Sequence, residues 1–147
     1  MKKQKSQRIQ VIQNLAIKQE EFAVIELGKA NSQLELMQNQ LDKLYQYRDE
    51  YSHQFTQAGS NIQSNTLQDY IHFINNLNTG INHLLEQIEE QKKRCEEVRE
   101  KWLDKHQQVD IYQKVKDKFL TDETKQQEKQ EQKLTDESSQ AFFLRNK

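Results

Sequence analysis

Apolar side chains recur at alternating intervals of three and four residues along the second half of the chain. A repeat that averages 3.5 residues keeps one narrow stripe of an α-helix facing a partner helix, as in the seam of a coiled coil. Only Gln91, Lys105 and Lys116 interrupt this stripe with polar side chains. Its positions are Leu67, Tyr70, Ile74, Leu77, Ile81, Leu84, Ile88, Gln91, Cys95, Val98, Trp102, Lys105, Val109, Tyr112, Lys116 and Phe119. The pattern predicts a long helix over about 66–120.

The first half of the chain carries a stripe with the same spacing, which predicts a helix over about 5–55. Its positions are Leu27, Ala30, Leu34, Met37, Leu41, Leu44, Arg48, Tyr51 and Phe55. Upstream we expect it to continue, after one irregular interval, through Ile9, Ile12, Ala16, Gln19 and Ala23. Further apolar residues lie off the stripe and give the start of this helix a wider apolar face: Val11, Leu15, Phe22 and Ile25.

The pattern lapses over about 56–65, where Ala58-Gly59-Ser60-Asn61 is typical of a turn. Thr66 and Asp69 form a candidate capping box at the start of the second helix. Two helices joined by a short polar link fold back antiparallel, and we expect Tyr51 to lie opposite Leu67. The predicted fold is therefore all-α: a long antiparallel two-helix coiled-coil hairpin over residues 1–120.

Residues 121–147 are expected to overhang this hairpin as a polar helical extension or a disordered tail. From Thr121 to Gln140 the only large apolar residue is Leu134, so no seam continues there. The apolar cluster at 141–144, Ala-Phe-Phe-Leu, has no apolar neighbours in sequence and is either a docking element or an incidental sticky end.

Composition and charge narrow the function. With 33% hydrophobic residues, no proline and three glycines, the chain is too polar for a thick core but well suited to uninterrupted helix. A net charge of −1 with interspersed signs argues against nucleic-acid binding, and the basic residues among the first eight are interpreted as a solvated start. We expect neither a signal peptide nor a membrane span, and we interpret the lone Cys95 as a reduced thiol of a cytoplasmic protein.

The sequence shows no arrangement of residues typical of catalysis, so we predict a protein that is not an enzyme and that needs no cofactor or metal. There is no glycine-rich phosphate loop, no Cys-x-x-Cys and no His-x-x-x-His ligand pair. The four histidines are scattered, at His53, His72, His83 and His106. No histidine is spaced to activate Cys95 as a nucleophile.

Aromatic and apolar residues near the turn exceed what the seam needs. One outward stripe on the first helix comprises Gln40, Leu44, Tyr47 and Tyr51, and one on the second comprises Phe73, Leu77, Gly80 and Leu84. Each shares two members with the seam, so Tyr47 and Phe73 should stand at its edge. Exposed aromatic residues on a rigid scaffold are plausible anchors for a partner protein. The alternative is that they only widen the core of the hairpin.

The order of these residues resembles the FliJ family of bacterial flagellar export proteins. The resemblance spans roughly Leu27 to Phe119 and rests on matching residues on both sides of one turn. These are Gln40-Leu41, Leu44, Tyr47, Glu50-Tyr51, Tyr70, Phe73-Ile74, Leu77, Ile81 and Trp102.

The resemblance implies a cytoplasmic stalk protein, peripherally associated with the inner membrane at the export apparatus and monomeric when free. Its implied partners are the export ATPase hexamer, whose assembly it promotes, the cytoplasmic domain of the export gate membrane protein, and export chaperones. The gate-contacting residues carried over are the eight of the two outward stripes. In the family, an alanine-like residue is expected at Gly80 and a histidine can occur at Leu84.

Three alternatives remain open at this point. One is the equivalent stalk protein of a virulence type III injectisome, which would have similar partners. Another is a prefoldin-like holdase, although residues 52–65 lack the alternating apolar pattern that its strands would need. The third is a generic coiled-coil adaptor that dimerises between chains.

Overall fold

The chain folds into two long α-helices, as the computed structural model shows for residues 4–59 and 63–146. Helix α1 spans Lys5–Ala58 and helix α2 spans Ser64–Arg145. No strand occurs among the described residues, and the two helices pack against each other, which confirms the all-α helical hairpin. The helices run long because no proline interrupts either of them and only Gly28 and Gly80 lie in their interiors.

Contacts divide the chain into two compact units, which we name the turn unit, Ala23–Trp102, and the terminal unit, Met1–Phe22 with Leu103–Lys147. In the turn unit the seam is mainly apolar. Its buried members are Ala30, Ile81, Leu84, Ile88 and Val98. Every predicted seam position on α2 in this unit is buried or half-buried except Leu67, which is 44% exposed.

One polar interruption of this seam has a structural explanation. Gln91 occupies a predicted seam position, and its Nε2 donates a hydrogen bond of 3.0 Å to the backbone oxygen of Ala30 on α1. A buried amide costs free energy unless it is paired, and here a carbonyl of the facing helix satisfies it. The seam therefore continues through Gln91 without a gap.

The terminal unit has a polar seam. The buried Ser6 contacts Glu123 through its backbone nitrogen at 3.1 Å and through its hydroxyl at 2.7 Å. The buried Gln13 donates to Gln113 at 2.7 Å. Farther along, His106 Nδ1 lies 2.7 Å from Glu20 Oε1. Three cross-helix polar pairs thus stand where a purely apolar seam would place leucines.

These pairs correct the predicted start of the α1 stripe. Ile12 is 46% exposed and Gln19 is also exposed, whereas Gln13 is buried and Glu20 half-buried. The prediction of an irregular interval was wrong, because it placed Ile12 and Gln19 on the seam, where Gln13 and Glu20 lie instead. Once those polar positions are included, the three-four spacing continues without a slip.

Both helices extend into the predicted turn over about 56–65, since α1 ends at Ala58 and α2 begins at Ser64. Helix α1 continues to Ala58, and Gly59 follows with a φ of 65°, a left-handed conformation that glycine adopts at helix ends without steric cost. The Leu67 amide donates to the Gln63 carbonyl at 3.1 Å, so α2 is capped at Gln63. Thr66 therefore lies inside the first turn, and the proposed capping box was wrong. Ser60 and Asn61 of the predicted turn lie outside the described residues.

The register of the turn unit differs from the predicted one. Tyr51 stacks on Tyr70, with ring centroids 5.6 Å apart, and contacts Phe73 at 4.2 Å. The predicted pairing of Tyr51 with Leu67 was wrong, because it assumed a turn centred nearer to the start of the chain. A heptad stripe alone cannot distinguish these alignments, since a shift by one repeat preserves apolar contact.

Within the terminal unit, α2 continues well past the predicted end of the seam. All residues from 124 to 145 are helical and exposed. Leu134 is 63% exposed, and Phe142, Phe143 and Leu144 are between 66% and 77% exposed. No residue of this segment is even half-buried, so its helix is not stabilised by packing against α1.

Candidate partner-binding face near the turn

The α1 half of the candidate face runs along one side of the helix, with residues at intervals of four, three and four. Tyr47 is 55% exposed and Tyr51 is 37% exposed, while Leu44 is half-buried and Gln40 is exposed. Since Leu44 and Tyr51 also belong to the seam, they fix the helix surface from which Tyr47 projects. The Tyr47 ring is thus a large, partly apolar group standing beside a packed interface.

The α2 half shows the same gradation from core to surface. Phe73 is 41% exposed, Leu77 is half-buried and Gly80 is exposed. Leu84 is only 8% exposed and is part of the core of the turn unit. A partner that binds this face would reach Phe73 and the backbone at Gly80, whereas Leu84 supports the face from beneath.

An aromatic cluster joins the two halves across the helices. Phe55 stacks on Tyr70 with centroids 3.8 Å apart and planes 13° from parallel. Tyr51 contacts both Tyr70 and Phe73, so four rings from two helices form one continuous group. Aromatic ring pairs in proteins contribute about 0.5–1.5 kcal/mol beyond the area that they bury. The cluster holds Phe73 in place while part of its ring remains exposed.

Arg48, a predicted seam position on α1, adds a polar link between the two helices. Its guanidinium donates to Asn78 Oδ1 at 3.2 Å and lies 5.0 Å from the centroid of the Tyr45 ring. Both contacts occur within the turn unit, one across the helices and one along α1. In the sequence Arg48 and Asn78 each directly follow a stripe residue, Tyr47 and Leu77, but their pairing can be predicted only once the register is known.

Gly80 has no packing role within the hairpin. A methyl group built at its α-carbon would meet nothing within 4 Å, and its backbone φ is not positive. Helix interiors disfavour glycine by about 1 kcal/mol relative to alanine. The same description applies to Gly28 on α1. Neither glycine is required for the two helices to approach each other, so each can be replaced by alanine without a clash.

Other chemistry is sparse among residues 4–59 and 63–146. No group of three metal-ligating side chains comes together in them, and Cys95 is a half-buried free thiol. In the same residues, neither helix has a stretch long and apolar enough to cross a membrane.

Exposure predicts different consequences for two tyrosines of the turn unit. Replacing Tyr70 with alanine should lower the free energy of unfolding by about 1–3 kcal/mol, because it removes the ring on which Tyr51 and Phe55 stack. Replacing Tyr47 should change it by about 0.5 kcal/mol or less, because most of that ring faces solvent. Urea unfolding followed by circular dichroism measures both. Equal losses would mean that Tyr47 belongs to the core, as the alternative interpretation holds.

Comparison with known proteins gives one match of wide coverage. The sequence profile of the family described as Flagellar FliJ protein matches residues 4–147. No curated protein and no solved structure gave a significant match. The profile extends beyond the segment 27–119 that carries the resemblance and includes both the polar seam and the overhang of α2. Because the match covers nearly the whole chain, this protein belongs to the flagellar FliJ family.

Proposed function

We propose that the protein is a non-catalytic stalk-like adaptor of the flagellar type III export apparatus, which promotes assembly of the export ATPase ring and contacts the export gate. Membership of a family of non-enzymatic flagellar export components supports the general role. The observation that carries the specific role is the exposed pair Tyr47 and Phe73 on a packed helical scaffold. A surface of this kind can bind and release partners without any bond chemistry.

The proposed gate-binding face comprises Gln40, Leu44, Tyr47, Tyr51, Phe73, Leu77, Gly80 and Leu84, and its partner is the cytoplasmic domain of the export gate membrane protein. Anchoring side chains bind best when they are already held in place, because less conformational freedom is lost on binding. The contact of the Tyr51 ring with the Phe73 ring, with centroids 4.2 Å apart, supplies that order for Phe73. Leu77 and Leu84 support the two stripes from within, and Gly80 leaves room for close approach by a partner backbone.

The other partners proposed for the protein are the export ATPase hexamer and export chaperones. By analogy with rotary stalks, the end that bears both termini enters the ATPase ring, and we assign no individual residues to that contact. This role places the protein in the cytoplasm, peripherally at the inner membrane, with effects on flagellum biogenesis and motility. We expect the free protein to be monomeric and to bind no nucleic acid.

The first experiment mixes the purified full-length chain with the export ATPase of the same organism. ATP hydrolysis should increase and the ATPase should shift towards hexamer, as measured by phosphate release and by light scattering coupled to size exclusion. Absence of both effects, with the protein itself a helical monomer, would contradict the ATPase role.

The gate contact has a separate test with matched controls. Tyr47→Ala and Phe73→Ala should each weaken binding to the gate's cytoplasmic domain by about tenfold or more, because each removes a large anchoring ring. Leu134→Ala removes a more exposed apolar side chain elsewhere on α2 and should leave the affinity unchanged. Isothermal titration calorimetry reports the affinities.

The two glycines in the helix interiors allow a test of whether the backbone of the gate domain approaches Gly80 closely. Gly80→Ala and Gly28→Ala should each raise the stability of the free protein by about 0.5–1 kcal/mol, whereas only Gly80→Ala should weaken the gate complex. If all the variants bind the gate domain like the wild-type chain, the surface that binds the gate lies elsewhere on the protein. That conclusion would hold even if the protein stimulates the ATPase.

A further inference from the structure

The outer surface of the first turns of α1 carries large apolar side chains that the fold does not use. Val11 and Leu15 are each 60% exposed, and Phe22 is 65% exposed. They are separated by four and seven residues, so they share one side of the helix. The seam side of the same segment is occupied by Ser6, Gln13, Ala16 and Glu20, which are buried or half-buried. The apolar stripe therefore faces away from α2.

Basic residues complete this outer stripe. Arg8 and Lys18 are both exposed and fall into the same three-four spacing as Val11, Leu15 and Phe22. The first eighteen residues contain five basic and no acidic side chains. The first acidic residue, Glu20, is turned to the seam, where it contacts His106 at 2.7 Å. The stripe, which we name the basic outer stripe, is defined as Arg8, Val11, Leu15, Lys18 and Phe22.

We propose that the basic outer stripe is a binding surface for an anionic lipid bilayer. A helix that lies in a membrane interface combines an apolar face with lysine and arginine side chains, whose aliphatic stems follow the apolar surface while their charges reach lipid phosphates. The stripe has both components and contains no acidic residue. This role goes beyond the ATPase and gate contacts, because it gives the protein a direct attachment to the membrane that needs no protein partner.

The positive charge of the basic outer stripe favours an anionic bilayer over a second copy of the chain as its binding partner. If two basic outer stripes packed together, Arg8 and Lys18 would enter the interface with no acidic residue of either stripe to pair with them. An anionic bilayer supplies negative charge along its whole surface and attracts basic residues within a Debye length. A flat bilayer can also reach the outer side of α1 without disturbing the cross-helix pairs of the terminal unit.

The test measures co-sedimentation of the full-length protein with two kinds of vesicle. One contains phosphatidylcholine alone and the other a mixture of phosphatidylcholine and phosphatidylglycerol. We expect binding to the anionic vesicles that weakens as salt is raised, and little binding to the neutral ones. The double variant Leu15→Gln/Phe22→Gln should lower the partition coefficient by about tenfold or more. Arg8→Gln/Lys18→Gln should also lower it and reduce its dependence on salt.

Control variants test whether vesicle binding depends on the basic outer stripe and not on another part of the chain. Leu134→Gln changes a side chain that is 63% exposed on α2 and should leave vesicle binding unchanged. Circular dichroism should show the same helicity for all variants, because every substituted residue is exposed.

Three results would overturn the proposal. The first is no binding to anionic vesicles by the wild-type chain. The second is binding that survives both stripe variants, including binding that is lost instead in Phe142→Gln/Phe143→Gln. The third is a lipid-free dimer in sedimentation velocity that Leu15→Gln/Phe22→Gln dissociates, which would assign the stripe to a second copy. Because the stripe belongs to the end proposed to enter the ATPase ring, ATPase stimulation is measured separately in the same variants, so that failure of the lipid contact is distinguished from failure of the export role.

Discussion

The contact between Tyr51 and Phe73 across the two helices fixes the register of the turn unit. The register in turn decides which of its side chains are exposed. With these rings 4.2 Å apart, Tyr70 is enclosed between Tyr51 and Phe55, while Tyr47 is left with 55% of its surface exposed. A heptad stripe would keep its apolar contacts after a shift of seven residues, but these ring contacts would be lost. The register is therefore a property of particular pairs, and the candidate gate-binding face depends on it.

The two units pack α1 against α2 with different side-chain chemistry. The turn unit buries Ile81, Leu84 and Ile88 in a mainly apolar seam, which supplies stability through the hydrophobic effect. The terminal unit buries Ser6 and Gln13 and satisfies them with Glu123 and Gln113. Polar pairs at seam positions add less stability than leucines would, but they penalise any alignment that leaves them unpaired. Their geometry favours one register over its neighbours.

Periodicity was sufficient to predict the all-α hairpin and most of its seam, because burial of one helix face depends only on spacing. It could not predict the register, which depends on ring contacts between residues distant in sequence. The first seam positions of α1 were also misplaced, since the buried Gln13 is polar and Ile12 was chosen instead. For the candidate face, the stripes could be named from sequence, but not the burial of Leu84 or the contact of Arg48 with Asn78.

A double-mutant cycle in the full-length protein tests this register most directly. Tyr51, Phe73 and Leu67 are replaced by alanine singly and in the pairs 51/73 and 51/67, and unfolding free energies are measured in urea. The structure predicts a coupling of about 0.5–1.5 kcal/mol between Tyr51 and Phe73 and none between Tyr51 and Leu67. Coupling of Tyr51 to Leu67 without coupling to Phe73 would contradict the register, and with it the placement of the proposed gate-binding face.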